Sequence, residues 1–492
     1  MTDLLLFNPW WEQKQSIELD PYISAFNQSS IQWLPEVLNE IDLNKDSVYT
    51  LRGPRQVGKT TLAKIMIRDL LKSGIPPQAV FYYSCDLISG AGELFDVIRE
   101  YHEFSSPLGF KRRYMFLDEI SLINDWQHAI KQVIDLGWGR GSTLLLTGSS
   151  ATDIKRGAER LPGRRGTAIY PDKVLLPMCF SEFVEKCSDL SPAIDNFSLS
   201  RLMLLPGEVE KLRAQTHVFL PRLSTLLTNY LSAGGFPLAV EEFLNTGSVP
   251  AHVMETYLTV IRSDFEKIKK SRILLRQVLA RIFAVSGTPV SWQGLAKSID
   301  TPSYRTVREY SELLADSFLM AILYFLEKNR KTANPNKRKK FYFSDPLIQN
   351  LAAREAGLPR FPEPGKMVET IVAMHLIRKF EQRIFEGLDS VQNVFYWRSS
   401  KGKEIDFVIF HQHEMVPVEV KFQGIINRSD YTTMKRVFAR GILVTKDLFF
   451  HGISLHPSGS PSPVRLDPCP DSGPRSTRPG FAFRFFGFLV RH

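Results

Sequence analysis

The stretch Gly53-Pro-Arg-Gln-Val-Gly58-Lys59-Thr60 matches the pattern G-x-x-x-x-G-K-[ST] at every defined position. A short apolar run, residues 48–51, precedes it, and a run with helical spacing, residues 62–71, follows it. The stretch therefore lies where a strand would lead into a helix. Glycines let backbone N–H groups turn inward around phosphate oxygens, and the start of a helix adds a partial positive charge. This context predicts a phosphate-binding loop rather than an ordinary glycine turn.

Two side chains of the loop are expected to contact the nucleotide and its metal ion. Lys59 would reach the β- and γ-phosphates of a nucleotide, and the Thr60 hydroxyl would ligate Mg²⁺. The loop therefore predicts ATP and Mg²⁺ as cofactors. The residues predicted to contact them are Gly53, Pro54, Arg55, Gln56, Val57, Gly58, Lys59, Thr60, Thr61 and Asp118.

Two further apolar runs end in polar residues. The run 114–117 is followed by Asp118 and Glu119. Asp118 is placed to hold Mg²⁺ through water and Glu119 to polarise the attacking water, so the pair favours hydrolysis over binding alone. The run 143–147 leads into Thr147-Gly-Ser149-Ser150. A hydroxyl there would either report the state of the γ-phosphate or cap a turn, and both interpretations stay open.

A basic loop follows these strands. It contains Arg160, Arg164 and Arg165 around a Leu-Pro-Gly turn. A positioned guanidinium can stabilise charge on a transferred phosphoryl group, and Arg164 is the best placed of the three for a catalytic role. The alternative is a solvated basic loop.

A second group of chemically capable residues lies near the carboxyl end. Asp406 falls on one apolar strand, and Glu419 and Lys421 fall on the next, two residues apart and so on one face. Glu369 opens an upstream amphipathic helix. Carboxylates and a lysine on one face can hold Mg²⁺ and activate water for phosphodiester attack. The alternative is a half-buried hairpin with an ordinary exposed ion pair.

The positive charge of the chain is concentrated in one segment. Residues 328–340 hold seven Lys or Arg and no acid, between two apolar runs that predict a β-hairpin. Two short helices precede it, and the second carries Tyr304, Arg305 and Arg308. Helices followed by a basic hairpin resemble a winged helix, in which these residues and the lysines of the wing would contact DNA. Winged helices also serve in protein contacts.

These motifs together resemble a family of bacterial and archaeal AAA-type ATP-binding proteins whose carboxyl-terminal part is a domain of unknown function. The resemblance extends from about residue 5 to residue 455. It implies a carboxyl-terminal fold similar to the PD-(D/E)xK nucleases, with Asp406, Glu419, Lys421 and Glu369 as its site. It also implies a homo-oligomer, because such proteins often share an arginine between subunits. The stretches that carry it are FNPWW, GPRQVGKTT, FLDEI, LTGSS, the LPGR loop, LPMCFSEF and YLSAGGFP.

The predicted fold class is α/β: a P-loop NTPase parallel sheet with a helical lid, a winged-helix-like middle domain and a nuclease-like domain. The segments differ in composition and in the period of their apolar residues. We expect a lead-in (1–46), an AAA-type ATPase domain (47–180), a helical region (181–271), a winged-helix-like domain (272–345), a PD-(D/E)xK nuclease-like domain (346–455) and a disordered or atypical tail (456–492).

Composition narrows the class of protein. The chain has 492 residues, 43% of them hydrophobic, with a net charge of +10, which excludes a disordered or fibrous chain. Its four cysteines form no CxxC pair, and its longest apolar run is too short to span a bilayer. We therefore expect a cytoplasmic protein with no membrane partner. The tail 456–492 contributes +3 of the charge.

Two hypotheses of function follow. The first is an enzyme, a Mg²⁺-dependent ATPase that acts on DNA through the winged-helix and nuclease-like regions. The second is an ATP-switched protein that controls a partner and whose nuclease-like domain does not cut. The enzyme hypothesis needs Asp406, Glu419 and Lys421 as a working metal site, and the switch hypothesis does not.

Overall fold

A computed structural model describes most of the chain and places the predicted loop at the edge of a sheet. Ser150 and Arg160 lie outside the described residues, as does the tail 456–492 apart from residues 483–484. The structure describes residues 2–149, 161, 163–168, 170–190, 217–297, 299–300, 303–358, 363–381, 393–411, 414–423, 425–438, 441–445 and 483–484.

The amino-terminal half is built on a five-stranded sheet in which all strands are parallel. The order is β2-β3-β4-β1-β5. The apolar runs predicted as strands at 48–51, 79–83, 114–117 and 143–147 form β1 to β4. These strands are buried at nearly every position because helices cover both faces of such a sheet. The strands are β1 (Ser47–Arg52), β2 (Val80–Ser84), β3 (Arg113–Asp118), β4 (Ser142–Gly148) and β5 (Asp172–Val174).

The lead-in segment packs against β2, the edge strand of this sheet. The side-chain amide of Asn8 donates to the carbonyl of Tyr82 and its oxygen accepts from the Tyr82 N–H. The indole N–H groups of Trp10 and Trp11 both donate to the carbonyl of Val80. Side chains thus satisfy backbone groups that an edge strand would otherwise leave unpaired. Helices of this half are α1 (Thr2–Phe7), α2 (Pro21–Gln28), α3 (Lys59–Lys72), α4 (Ala91–Ser105), α5 (Trp126–Asp135) and α6 (Phe180–Cys187).

Helices dominate the middle of the chain. Proline at the first turn starts two of them, where its missing N–H costs no helical hydrogen bond. Among the described residues no helix is long and apolar enough to span a membrane. The helices are α7 (Leu220–Ala233), α8 (Pro237–Thr246), α9 (Ala251–Lys267), α10 (Arg272–Val285), α11 (Trp292–Ala296) and α12 (Tyr304–Asp316).

A second sheet of seven strands joins the predicted hairpin to the predicted nuclease-like region. Its order is β12-β11-β10-β9-β8-β6-β7, and β6 pairs in parallel with β8 through Tyr324 and Phe395. The sheet therefore runs across the boundary that the sequence suggested at 345–346. Its elements are β6 (Met320–Glu327), β7 (Thr332–Phe343), α13 (Pro346–Glu355), α14 (Pro364–Glu381), β8 (Val394–Arg398), β9 (Glu404–His411), β10 (Glu414–Lys421), α15 (Arg428–Phe438), β11 (Ile442–Thr445) and β12 (Phe483–Arg484).

The basic segment 328–340 is mostly strand rather than turn. Only residues 328–331 connect β6 to β7, and residues 332–334 and 339–340 pair with β6 on either side of an irregularity at 335–338. Lys328 donates to the carbonyl of Val437, and Lys339 and Lys340 are buried. The expectation that the lysines of the wing contact phosphate is therefore wrong for Lys339 and Lys340, because neighbouring residues of a strand point to opposite faces and both faces of β7 are covered here.

Candidate nucleotide site and an acidic cluster

The loop after β1 has the conformation that its glycines permit. A side chain at Gly53 would come within 2.1 Å of the Leu175 carbonyl oxygen, so only glycine fits there. Gly58 precedes α3 with φ of 103°, a left-handed conformation that favours glycine. No side chain caps the first turn of α3. A helix start that is left without such a cap directs its N–H groups towards an anion.

Lys59 is held inside the loop by the loop itself. Its ammonium donates to the carbonyls of Gly53 (3.1 Å) and Pro54 (3.0 Å) and lies 3.7 Å from a Glu119 oxygen. Burial lowers the pKa of Lys59, although the charges of Glu119 and Asp118 oppose this. The lysine is therefore positioned before any ligand arrives.

Asp118, the last residue of β3, collects hydroxyl groups from three other elements. Thr60 of α3 donates to its Oδ2 (2.7 Å), and so does Tyr82 of β2 (3.1 Å). Thr147 of β4 donates to its Oδ1. Burial, followed by the charge of Asp118, raises the pKa of Tyr82, so its hydroxyl stays protonated and remains a donor. The parallel strands thus bring residues that are far apart in sequence to one carboxylate.

Glu119 follows in a left-handed conformation, with φ of 53°. Its N–H donates to Thr147 Oγ1 (3.1 Å), and its carboxylate accepts from the Ser149 hydroxyl (3.3 Å). The two hydroxyl residues therefore contact the acidic pair directly, in addition to ending a strand. Both alternatives left open by the sequence, reporting and capping, remain compatible with these contacts.

The residues present fit ATP with Mg²⁺. The uncapped helix start and Lys59 suit phosphate oxygens, while Thr60 and Asp118 offer the oxygen ligands that Mg²⁺ takes beside phosphates. Leu175, whose carbonyl lies close to Gly53 of the loop, also lines a small cleft with Glu182 and Arg378.

Arg55 ties the loop to the helical region. Its Nε lies 2.8 Å from Oδ2 of Asp264 on α9, with both side chains about a quarter exposed. Burial raises the pKa of Asp264, and the charge of Arg55 opposes that shift. Sequence reasoning missed Asp264, because no local pattern marks one acid on a helix as the partner of a loop some 200 residues away.

Arg164 does not lie at this site in its own chain. Its guanidinium pairs with Asp135 at 2.6 Å. The neighbouring Arg165 and Gly166 bind the start of β1, through Val48 and Ser47, whereas the loop follows the other end of that strand. A strand of this length separates the two places by roughly 20 Å. The predicted catalytic contact of Arg164 within the chain is therefore not formed.

The structure brings the four carboxyl-terminal candidates together. The Asp406 N–H donates to Glu419 Oε2 (3.4 Å), and Asp406 Oδ2 accepts from the Val420 N–H (2.9 Å). Lys421 pairs with Glu419 Oε1 at 2.7 Å, and the Glu419 side chain is only 8% exposed. The pair is thus not the ordinary exposed one that the sequence allowed.

Lys340 and two further residues complete what we call the acidic cluster: Lys340, Tyr342, Glu369, Glu404, Asp406, Glu419 and Lys421. Little in the sequence indicated that Lys340, Tyr342 and Glu404 would join the four predicted residues. Lys340 and Tyr342 are two residues apart on β7, and Glu404 and Asp406 are two residues apart on β9. The two side chains of each pair therefore lie on the same face of the sheet. The Tyr342 hydroxyl donates to Glu369 Oε1 (2.6 Å).

Burial dominates the electrostatics of the acidic cluster. It raises the pKa of Glu369 and of Glu419, and the charge of Asp406 adds to both shifts. Burial alone would lower the pKa of Lys340, but Tyr342 and the surrounding carboxylates outweigh it, and the pKa lies well above its ordinary value. In the described part of the chain, no group of three or more His, Cys, Asp or Glu side chains is arranged to hold a metal ion.

The face predicted to meet DNA is only partly exposed. Tyr304, Arg305 and Arg308 are exposed on α12, and Ser303 caps that helix by accepting from the Arg305 N–H. Arg308 also pairs with Glu312 one turn away. The exposed cations of the hairpin are Arg330, Lys331, Lys337 and Arg338.

Comparison with known protein families matches the region that contains the phosphate-binding loop. Residues 45–184 match the AAA domain. Residues 224–356 and 364–454 match two domains of unknown function, DUF8612 and DUF4143. The first match and the geometry of the loop together support an AAA-type ATPase domain that binds ATP. No curated protein matches the chain in sequence.

Several solved structures resemble the chain weakly. A Walker-type ATPase of Pyrococcus abyssi is 13% identical over 69% of this chain and 95% of its own, with a TM-score of 0.35. The Aeropyrum pernix ORC1 protein, in complex with DNA, is 13% identical over 70% and 96%, with a TM-score of 0.30. The replication initiator DnaA, bound to AMPPCP and single-stranded DNA, is 11% identical over 61% and 88%, with a TM-score of 0.22.

Proposed function

We propose that the protein is a Mg²⁺-dependent ATPase whose nucleotide state is transmitted to a DNA-binding carboxyl-terminal half. The observation that carries the first part is the convergence of Lys59, Thr60, Asp118 and Glu119 at one edge of the parallel sheet. Each of the four is held by contacts within the chain, so the site is organised before substrate binds. Such preorganisation is what favours a charged transition state.

Each residue has a distinct task in hydrolysis. Lys59 and the start of α3 would hold the phosphates, and Thr60 and Asp118 would hold a Mg²⁺ ion, which when bound would offset the charge of the phosphates. Glu119 accepts a proton from water as the water oxygen bonds to the γ-phosphorus. The bond from that phosphorus to the bridging oxygen breaks, and ADP and phosphate leave.

A pair of lysine variants tests this assignment. Lys59→Ala should abolish ATP binding and hydrolysis, because it removes the buried cation of the loop. Lys72→Ala is the matched control, since Lys72 ends the same helix with its side chain 60% exposed. Binding by titration with a fluorescent ATP analogue and phosphate release measure both steps. Unchanged nucleotide affinity in Lys59→Ala would exclude the site.

The proposal for DNA rests on the exposed cations beside α12. Arg305, Lys337 and Arg338 lie in the region that we propose is a winged helix, and phosphate contacts from them would be independent of sequence. We expect DNA affinity to fall steeply with salt, with a shallower slope for Lys337→Ala/Arg338→Ala. A salt-independent affinity, or an unchanged slope in that variant, would refute the contact.

The switch hypothesis gains support from α14. Arg378 on this helix donates to the Pro177 carbonyl and lies 3.5 Å from Glu182 of α6. Glu369 on the same helix belongs to the acidic cluster, roughly 13 Å away along the axis. One rigid element therefore contacts both regions. A movement at α6 would shift Glu369.

Arg378→Ala tests whether this helix transmits nucleotide state. DNA affinity of the wild type should differ between ATP and ADP, and the variant should lose that difference while it keeps ATP binding. Retention of the full difference in Arg378→Ala would show that α14 does not carry the signal.

A further inference from the structure

Lys340 is the centre of the acidic cluster. Its side chain is 1% exposed, and its Nζ lies 2.8 Å from Glu404, 3.2 Å from Glu369 and 3.3 Å from Asp406. An ammonium has three N–H donors, so three carboxylates satisfy it completely. The aromatic rings of Tyr396 and Phe407 lie 5.9 Å away and leave it in a dry setting.

We propose that the Lys340 ammonium takes the place of a divalent metal ion in the nuclease-like domain, so that the domain holds no catalytic metal. Mg²⁺ would need oxygen atoms at about 2.0–2.1 Å in near-octahedral geometry. The distances at Lys340 are instead those of charge-assisted hydrogen bonds. A cation in this position repels a second one.

The three predicted metal ligands already accept hydrogen bonds from other groups of the chain. Glu369 Oε1 accepts from Lys340 and Tyr342, and Asp406 uses one oxygen for Lys340 and the other for the Val420 N–H. Glu419 uses one oxygen for Lys421 and the other for the Asp406 N–H. A metal ion would have to break several of these bonds at once.

A loop of the middle domain also packs beside the acidic cluster. A side chain built at Gly287, in the loop after α10, would come within 3.2 Å of both Glu369 oxygens. The loop of the middle domain thus packs close to Glu369, whose side chain is 19% exposed. Together these contacts favour a domain that binds without cutting.

The inference depends on the nuclease-like fold predicted from the sequence but not on ATP hydrolysis. Its test therefore omits nucleotide and uses Mn²⁺ alone, so that a failed ATPase assignment would not affect the result. Mn²⁺ binding to the full chain is measured by electron paramagnetic resonance. Wild type should bind none at the acidic cluster, and its Mn²⁺ titration should be unchanged by Asp406→Asn.

Removal of the Lys340 ammonium should create a metal-binding site at the acidic cluster. Lys340→Met/Glu404→Gln removes one positive and one negative charge, preserves the net charge, and keeps Glu369, Asp406 and Glu419. We expect its Mn²⁺ affinity to rise by about tenfold or more, because the carboxylates that Lys340 held become available as metal ligands. Addition of Asp406→Asn should abolish the gain. Lys340→Met alone should be stabilised by Mn²⁺ against thermal unfolding, and wild type should not.

Two results would overturn the proposal. One is Mn²⁺ binding, or nicking of supercoiled plasmid with Mn²⁺, by wild type that Asp406→Asn abolishes. The other is a folded Lys340→Met/Glu404→Gln variant that binds no more Mn²⁺ than wild type.

Discussion

Replacing Asp345 with asparagine is expected to reduce the pH dependence of stability. Asp345 is fully buried between the helical region and the second sheet, where it accepts from the N–H groups of Leu347 (2.8 Å) and Gly235 (2.9 Å). A side chain at Gly234 would overlap Asp345 Oδ1, and one at Gly235 would overlap the Met178 carbonyl. The YLSAGGFP stretch is therefore a structural junction, with Asp345 as its anchor.

The expected magnitude follows from the pKa of this carboxyl group. Burial raises the pKa of Asp345 to about 7, above its ordinary value of 3.8. The folded state then binds more protons than the unfolded state between these values, so the free energy of unfolding falls as pH rises through that window. Between about pH 5.5 and pH 7.5, this one group should account for a loss of about 2 kcal/mol.

The assay compares urea unfolding of wild type and Asp345→Asn at both pH values. The variant loses the acceptor for Gly235 and should be less stable than wild type at low pH, by about 1–3 kcal/mol. Its own pH dependence should be smaller than that of wild type by the amount given above. Asp96→Asn is the control, because Asp96 is exposed on α4. Equal pH dependence in wild type and Asp345→Asn would refute the reasoning.

The remaining predictions concern the nucleotide site. Arg55→Ala and Asp264→Ala should each slow ATP hydrolysis by up to about fivefold, and the double variant should be no slower than either; additive losses would show that the pair does not act as a unit. Thr147→Val, which removes a hydroxyl bond to Asp118, should lower kcat about tenfold or more with little change in ATP affinity, and an equal loss of affinity would instead indicate a binding role. Because Arg164 lies far from the site of its own chain, a mixture of Arg164→Ala and Lys59→Ala proteins should hydrolyse ATP faster than either alone, and no recovery on mixing would exclude a role between subunits.

Much of the nucleotide site could be predicted before its geometry was known. The loop 53–60 contains its glycines, its lysine and its threonine within eight consecutive residues. These residues therefore lie close together however the rest of the chain folds. The four runs that became β1 to β4 were recognisable because strands buried on both faces are rich in apolar residues. Asp118 and Glu119 followed from the same rule, since a polar pair that ends such a run lies at the edge of the sheet.

The partners of those residues could not be predicted in this way. Tyr82 meets Asp118 only because β2 lies beside β3, and Asp264 meets Arg55 only because α9 packs over the loop. Strand order and helix docking depend on contacts between residues far apart in sequence. Local patterns do not encode them.

Lys340 shows the difference most clearly. In sequence it is one of several lysines in a basic run, and the charge of the run predicts exposed contacts to phosphate. In the folded chain, the register of β7 on β6 turns Lys340 inward, where Glu369, Glu404 and Asp406 surround its ammonium. The sequence alone determined which chemical groups the protein has, because motif and composition are local. Only the tertiary structure decided which of them face one another, because the hydrogen bonds and the pKa of a charged group depend on its nearest neighbours in space.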